Sequence, residues 1–369
     1  MDFVSYIYLA WILLFAGFAW IPSYKYSPYV FAVFGIVFIM IASPISAAVL
    51  LAESTLAFVV ARRHSLSHWS STFISVLFVF SAFLLCKYFA LKGMFALPIG
   101  ISYFTFRLIH YLQEAYRQKL RQHTFPEFMA YMTFFPTFLV GPINLFPDFL
   151  VNLRRRKWDS HEFSRGLERL VYGYAQLIII GNYLLNYLLK AWVNTNLQNT
   201  GTMTTLVIHS VQLWLDLYIR FSAYSSIAIG IAAMAGFSVP ENFRYPFLAS
   251  NIRDFWQRWH MSLTNWCRDY IFIPLASHSR NAFLAIVATM ITIGVWHELS
   301  FRYILWGIYH ALGIIFYENY ARFTKGRFPD RKRLTMIRKA VGMIITLVFV
   351  IMSFPLTTII NDYIMSFVR

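Results

Sequence analysis

Apolar residues run along this chain in long blocks, not in the alternating pattern of half-buried strands. A helix that crosses a membrane needs about 20 mostly apolar residues. Stretches of that kind, some of them short, fall at residues 3–20, 29–51, 69–89, 94–112, 170–189, 203–217, 221–237, 282–296, 303–320 and 341–360. They predict an all-α, polytopic transmembrane fold, with the shorter blocks tilted, partial or buried. The first block lacks a basic leader and is followed by many more, so a retained first span is expected in place of a cleaved signal.

Two stretches resist that reading. Residues 134–149, FFPTFLVGPINLFPDF, are apolar but contain Pro136, Pro142 and Pro147. Proline removes a helical donor and clashes with the preceding turn, so a re-entrant or interfacial segment is expected. Residues 251–270, NIRDFWQRWHMSLTNWCRDY, carry Arg253, Asp254, Arg258, Arg268 and Asp269, too many charges to span. Phe255, Trp259, Leu263 and Trp266 recur there at helical spacing, and Asn251 stands where it can cap a first turn with Asp254 at the third position. An amphipathic, Trp-rich helix at the membrane interface is expected.

Composition agrees with the pattern. Hydrophobic residues make up 59% and charged residues 13% of 369, against about 25% charged in ordinary soluble domains. A soluble enzyme, a disordered chain and a coiled coil are thereby set aside. Lys and Arg number 32 against 16 acids, a formal charge of +16. In a soluble protein this would suggest nucleic acid; in a membrane protein it reads as basic cytoplasmic loops, and no nucleic-acid partner is expected. The clusters are Arg62 with Arg63, then Arg117, Lys119 and Arg121, then residues 154–157, then 322–339, the last two placed in the cytoplasm. The two cysteines, Cys86 and Cys267, cannot form a disulfide framework and make no CxxC.

Candidate chemistry rests on ten histidines. His64, His68, His123, His161 and His278 lie in or beside polar loops and are expected at the surface. His209, near Gln212 and Asp216, reads as structural, and His110 has Glu114 four residues on as a local partner. His297 ends the apolar run ATMITIGVWHELSF, where burial would keep an imidazole neutral and suit it to act as a general base; a buried structural histidine is the other reading. His260 lies in the Trp-rich segment, seven residues before Cys267. Two helical turns, about 10 Å, would keep those two from pairing directly. His310, thirteen residues after His297, either lines the same cavity or packs. HExxH, GxGxxG and P-loop patterns are absent, so no metal site and no nucleotide-hydrolysing cassette is expected.

The stretches NFRYPFLASNIRDFWQRWHMSLTNWCRDYIFIPL and GVWHELSFRYILWGIYHALG resemble the membrane-bound O-acyltransferase (MBOAT) family. LPIGISYFTFRLIHYLQEAYR, FPTFLVGPINLFPDF and FSAYSSIAIGIAAMAGFSVPENF add to the resemblance and occur in the family's order. The likeness is strongest to the bacterial branch that holds the alginate O-acetyltransferase membrane protein and the teichoic-acid D-alanyl transfer protein. It covers residues 97–313 of what reads as a single integral membrane domain, 1–369.

By that resemblance the fold is a ring of about ten or more helices, some tilted or re-entrant, around a thinned centre crossed by a tunnel. His297 falls on the catalytic histidine and His260 on its active-site partner. The implied reaction moves an acetyl or other short acyl group to a hydroxyl of a cell-envelope polysaccharide, directly or through a periplasmic or extracellular partner protein. The donor would be acetyl-CoA or a phosphopantetheine-linked acyl carrier protein, with no permanently bound cofactor. The protein would be multi-pass in the cytoplasmic (inner) membrane, among membrane lipids.

Such a reaction needs a base for the hydroxyl proton and donors for the oxyanion, so Trp296, Trp259 and Asn265 are expected near the substrate. Arg258 and Arg268, with Arg253, are expected to grip the donor's phosphates, with interfacial anchoring as their other reading. D-alanyl transfer from a carrier protein to teichoic acid is the alternative within this class. A transporter using intramembrane histidines is the alternative outside it, but the acids in or beside apolar runs are few, chiefly Glu53, Asp216, Glu298 and Glu318. The chain has Glu298 where the branch commonly has Gly, Arg220 where Asp is common, Ser226 where Asp or Asn is common, and Leu145 where Arg is usual.

Overall fold

The computed structural model describes residues 4–21, 23, 25–62, 69–196, 202–325 and 332–366. Arg63, His64, His68, Arg327 and Arg331 lie outside these, as do the side chains of Lys332 and Arg333. Helix is the regular element throughout the described residues, and the chain falls into two compact units, Met1–Tyr174 with Tyr224–Pro240, and Ala175–Ala223 with Glu241–Arg369.

The first unit begins with α1 (Tyr6–Phe18), α2 (Ser27–Ala42), α3 (Pro44–Arg62), α4 (Trp69–Leu91) and α5 (Ile101–Tyr116). It continues through α6 (Phe125–Met132) and α7 (Phe146–Arg155) into α8 (Ser160–Ala175). The expected span at 29–51 is two helices. Ser43 turns extended and Pro44, which has no N–H to give, opens α3. Phe135 anchors the apolar core of this unit, with ring centroids 4.8 Å from Phe38 and 5.3 Å from Phe15.

The proline-rich segment lies inside this unit. A short 3₁₀ turn, Phe135–Thr137, leads through irregular backbone to α7. Arg107 of α5, 1% exposed, takes up the carbonyls that the missing helix leaves without donors. Its guanidinium donates to the carbonyls of Tyr131 at 2.8 Å, Met132 at 3.1 Å and Thr137 at 2.8 Å, and to the Thr137 hydroxyl at 2.6 Å. His110 serves the same end: the Phe146 amide at the start of α7 donates to its Nε2 at 3.0 Å. Glu114, the local partner expected for His110, binds Arg117 at 3.2 Å.

The second unit opens with a π-helical run, Gln176–Leu189, and α9 (Lys190–Asn196). The separate spans expected at 203–217 and 221–237 are one helix, α10 (Thr202–Met234), whose residues from Tyr224 on belong to the first unit. Arg220, between those two stretches, is neutralised one turn back by Asp216 at 2.8 Å, whose carboxylate also accepts from Asn186 at 2.6 Å. Then come α11 (Ile252–Trp256), α12 (Met261–Cys267), α13 (Ile273–Ser279), α14 (Ala282–His297), α15 (Phe301–Thr324) and α16 (Lys332–Ser366).

Among the described residues four helical stretches are long and apolar enough to cross a membrane: Pro44–Arg62, Phe73–Leu91, Thr204–Met234 and Met336–Ser366. Tyr6–Phe18, Ser27–Ala42 and Ala282–His297 are apolar but shorter.

Helices α14 and α15 pack backbone to backbone through glycine. A Cβ on Gly307 would stand 2.6 Å from the Met290 carbonyl oxygen and 2.9 Å from the Ile291 Cα, and one on Gly294 would meet the Tyr303 carbonyl. Lipid tails are as apolar as side chains, so close approach and dispersion hold such a pair together. Neither neighbour is a flexible side-chain tip that can swing away. Gly307→Ala is therefore expected to cost about 1–3 kcal/mol by overpacking. Gly17→Ala, whose Cβ meets nothing within 4 Å, should cost far less. Thermal unfolding of both variants in detergent measures this; equal midpoints would contradict the close-packed crossing.

Candidate active site

The expected single helix over 251–270 is interrupted. Asn251 does cap α11, accepting from the Asp254 amide at 2.8 Å. The helix stops after Trp256, and the chain turns through Gln257–His260, where His260 takes a left-handed conformation (φ 43°, ψ 53°) before α12 begins. Residues 242–244 brace this turn: the Arg244 amide donates to the Arg258 carbonyl at 3.0 Å, and the Met261 amide to the Asn242 carbonyl at 2.9 Å. Ser262 donates to the buried Asn242 side chain at 2.6 Å. His260 is thus fixed by a turn, not by a helix face shared with Cys267. Cys267 is buried outside the cavity described below, and burial pushes its thiol well above its ordinary range.

The turn opens onto an aromatic cavity of about 110 Å³ in the second unit. His260, His297 and His310 all line it, with Trp259 and Trp306 among the walls. The ring of Trp306 lies between two of the histidines, its centroid 5.6 Å from His297 and 4.4 Å from His310. Trp306 is itself held by donating from Nε1 to the Ser353 hydroxyl of α16 at 3.2 Å. Phe221 packs edge-on against His260 at 4.7 Å. The glycine-mediated crossing of α14 and α15 sets the spacing of His297 from Trp306 and His310.

His297 is the last residue of α14 and is exposed, where the apolar run predicted burial. The chain leaves the helix at extended Glu298, and Ser300 caps α15 by accepting from the Tyr303 amide at 3.4 Å. Glu298 turns its carboxylate to Arg302 at 3.2 Å, so its charge is met at the start of α15.

Several buried polar atoms facing this cavity have no hydrogen-bond partner among the described residues: His260 Nε2, both ring nitrogens of His310, and Nε1 of Trp214 and Trp256. His260 and His310 are each 1% exposed. Leaving a buried donor or acceptor unmet costs about 1–3 kcal/mol, so a cluster of them around one void marks a place built for polar atoms that are not the protein's own. Burial, and secondarily the neighbouring His297, hold the His260 imidazole well below its ordinary value of 6.5.

Of the other residues expected at the site, Trp259 lines the cavity and stacks on Phe255 at 5.5 Å. Trp296 lies beside the lining, with its ring 4.6 Å from His297 and 6.0 Å from His260. Arg258, Arg268 and Asn265 do not line it. Arg258 is bound to Asp254 at 2.7 Å, Arg268 to Asp269 at 2.8 Å, and Asn265 is exposed. Trp214, Trp256 and Trp306 were not singled out from the sequence. Trp256 and Trp306 stand four residues before His260 and His310, and that spacing was the available signal. His123, expected at the surface, is half-buried, while His161, His209 and His278 are exposed.

The MBOAT, membrane-bound O-acyltransferase family model matches residues 38–356. Over 220 residues the chain is 33% identical to the protein named "Probable alginate O-acetylase AlgI" of Pseudomonas aeruginosa, covering 58% of this chain and 42% of that protein. It is 30% identical over 275 residues to the teichoic acid D-alanyltransferase of Bacillus subtilis, covering 69% of this chain and 67% of the relative. With the peptidoglycan O-acetyltransferase of Helicobacter pylori it shares 26% identity over 262 residues, 62% of this chain and 49% of the relative. The chain thus spans about half the length of the alginate O-acetylases it matches, 42–51%.

A histidine kept neutral by burial makes stability depend on pH with a fixed sign. Its folded pKa lies below the unfolded value, so below that value the unfolded chain binds the extra proton and folding weakens. Stability should fall as pH drops through about 6.5 and below. Unfolding in detergent at neutral and mildly acidic pH should show a smaller loss for His260→Gln than for the unaltered protein; identical pH slopes would rule out a neutral His260.

Proposed function

Because the chain belongs to the membrane-bound O-acyltransferase family, we propose that the three-histidine aromatic cavity is where an acyl group passes from a thioester to a hydroxyl. One observation carries this reading: His260, His297 and His310 line the same small void, and several of the polar atoms facing it are unmatched. Histidine 297, reachable at the cavity's edge, is the base. Its imidazole takes the proton of the acceptor hydroxyl as the oxygen attacks the thioester carbonyl. The carbonyl oxygen gains the negative charge, and the indole N–H of Trp256 and one ring N–H of His260 or His310 are the donors poised to receive it. Collapse of the tetrahedral intermediate breaks the carbon–sulfur bond, and the departing thiolate takes the proton back from His297. Histidine 260, fixed by its turn, positions and polarises.

The void of about 110 Å³ suits a short acyl group. A cavity of about 150 Å³ takes a benzene ring, so a long acyl chain would have no room there. Acetyl transfer to a cell-envelope polysaccharide follows from likeness to the alginate and peptidoglycan enzymes. D-alanyl transfer from a carrier is the second reading, favoured by the likeness to the teichoic acid enzyme over 69% of this chain. Exposed Arg268, with Arg258 of the same segment, is the cation on hand outside the cavity for the phosphates of acetyl-CoA or a phosphopantetheine carrier. Residence in the cytoplasmic membrane, a ring of helices with a central tunnel, and delivery to the glycan through a partner protein outside the membrane complete the reading.

Loss of a general base typically costs about 10²–10⁴ in rate. His297→Ala is expected to lose at least that much acyl transfer while its unfolding midpoint stays put, because the side chain is exposed. Purified protein supplied with labelled acetyl-CoA, or with a D-alanyl carrier, and a glycan acceptor reads out both the effect and the donor; transfer at the unaltered rate by the alanine variant would end the proposal.

A further inference from the structure

A cleft with a marked charge lies in the first unit, lined by none of the residues of the three-histidine cavity. It measures about 840 Å³ and is lined by Arg62, Arg121, Arg154 and His123, with Gln118 and Gln122 among its polar neighbours. Arg62 is the last residue of α3, one of the helices long enough to cross a membrane. The cleft therefore opens where that helix would emerge from lipid.

Its cations are held in place to different degrees. Arg154 is fixed, with Nε donating to Glu127 at 2.7 Å and a terminal nitrogen to the Gln122 carbonyl at 2.8 Å. The same Glu127 closes the capping box of α6, accepting from the Thr124 amide at 2.7 Å. Arg62 lies over the Phe58 ring at 4.7 Å and donates to the His123 carbonyl. His123 donates from Nδ1 to the Arg121 carbonyl at 2.7 Å, and its Nε2 pairs with the Tyr111 hydroxyl at 2.8 Å, so both ring nitrogens are engaged. The side chains of Arg121, Gln118 and Gln122 have no partner among the described residues. Three guanidinium groups against the one carboxylate of Glu127 leave two positive charges facing the void, with amides beside them.

From this arrangement we infer that the cleft is a phosphate-binding site, occupied by the headgroup of an anionic phospholipid such as phosphatidylglycerol. Arginine matches phosphate oxygens in pairs, and basic pockets at the ends of membrane helices attract anionic lipid. The glutamine amides suit the hydroxyls of a glycerol headgroup, and Leu120 and Ala115 offer apolar wall to the lipid beneath it. A general inward bias of basic residues would account for the charge, but it requires no concave site and no selectivity among lipids.

The test uses the full chain, purified in detergent and stripped of lipid, with bound lipid counted by native mass spectrometry. Dioleoylphosphatidylglycerol is expected to bind in preference to dioleoylphosphatidylcholine. Each cation near a membrane surface contributes about a five-fold effect, so Arg62→Gln with Arg121→Gln should weaken phosphatidylglycerol binding about 30-fold. Arg121→Gln alone breaks no internal contact and should weaken it about five-fold in a normally folded protein. Arg165→Gln, an exposed pair with Glu162, is the control and should leave binding unchanged. Adenosine 3′,5′-bisphosphate and inorganic phosphate form the soluble arm. Their binding, lost in the double variant, with no preference between the two lipids would keep the phosphate site and assign it a soluble ligand. Equal binding of both lipids with no response to soluble phosphate, or phosphatidylglycerol binding unaltered in the double variant, would overturn it.

Discussion

Arg107 donates to three backbone carbonyls and a hydroxyl from a site that water does not reach. The demand it answers governs the whole chain: a peptide group removed from water must find its hydrogen bond within the protein. Helices meet most of that demand by themselves. Where the chain cannot be helical, a side chain supplies the missing group. His110 accepts the amide that opens α7, Asn251 and Asn281 cap α11 and α14, and Asn242 braces the turn that carries His260. Against this background the unmatched nitrogens of the aromatic cavity stand out, because the rest of the described interior takes trouble to leave few such atoms.

Much of this was readable in the residues, and the misses share a cause. The all-helical architecture, the cap at Asn251 and the break in the helix across the proline-rich segment follow from local rules. What failed was the assumption that a charge or an apolar run decides alone. Two spans were expected at 203–217 and 221–237, yet Arg220 between them is paired with Asp216 one turn away and α10 runs on. The apolar block at 29–51 was read as one span, yet Pro44 divides it. Burial was assigned to His297 from its apolar neighbours, but a helix end points its last side chain by geometry, not by the company it keeps. The interruption of 251–270 comes from hydrogen bonds to residues 242–244, and a periodicity argument within the segment has no means to detect them.

The charges of Glu298 and Arg220 are balanced in place. Glu298 has Arg302 and Arg220 has Asp216, each pair four residues apart on or beside one helix. A charge introduced next to a histidine would otherwise alter its electrostatic surroundings; pairing keeps the change local. All four side chains are half-buried, where an unpaired charge would be costlier than at an open surface.

His260 holds its ring in place with a backbone that side-chain-bearing residues seldom adopt, at a cost of roughly 1–2 kcal/mol. Glycine at that position would remove the strain and take the imidazole with it. Selection for heat resistance alone, acting on this protein, would thus favour a sturdier chain with a disabled cavity, so at residue 260 robustness and chemistry pull in opposite directions.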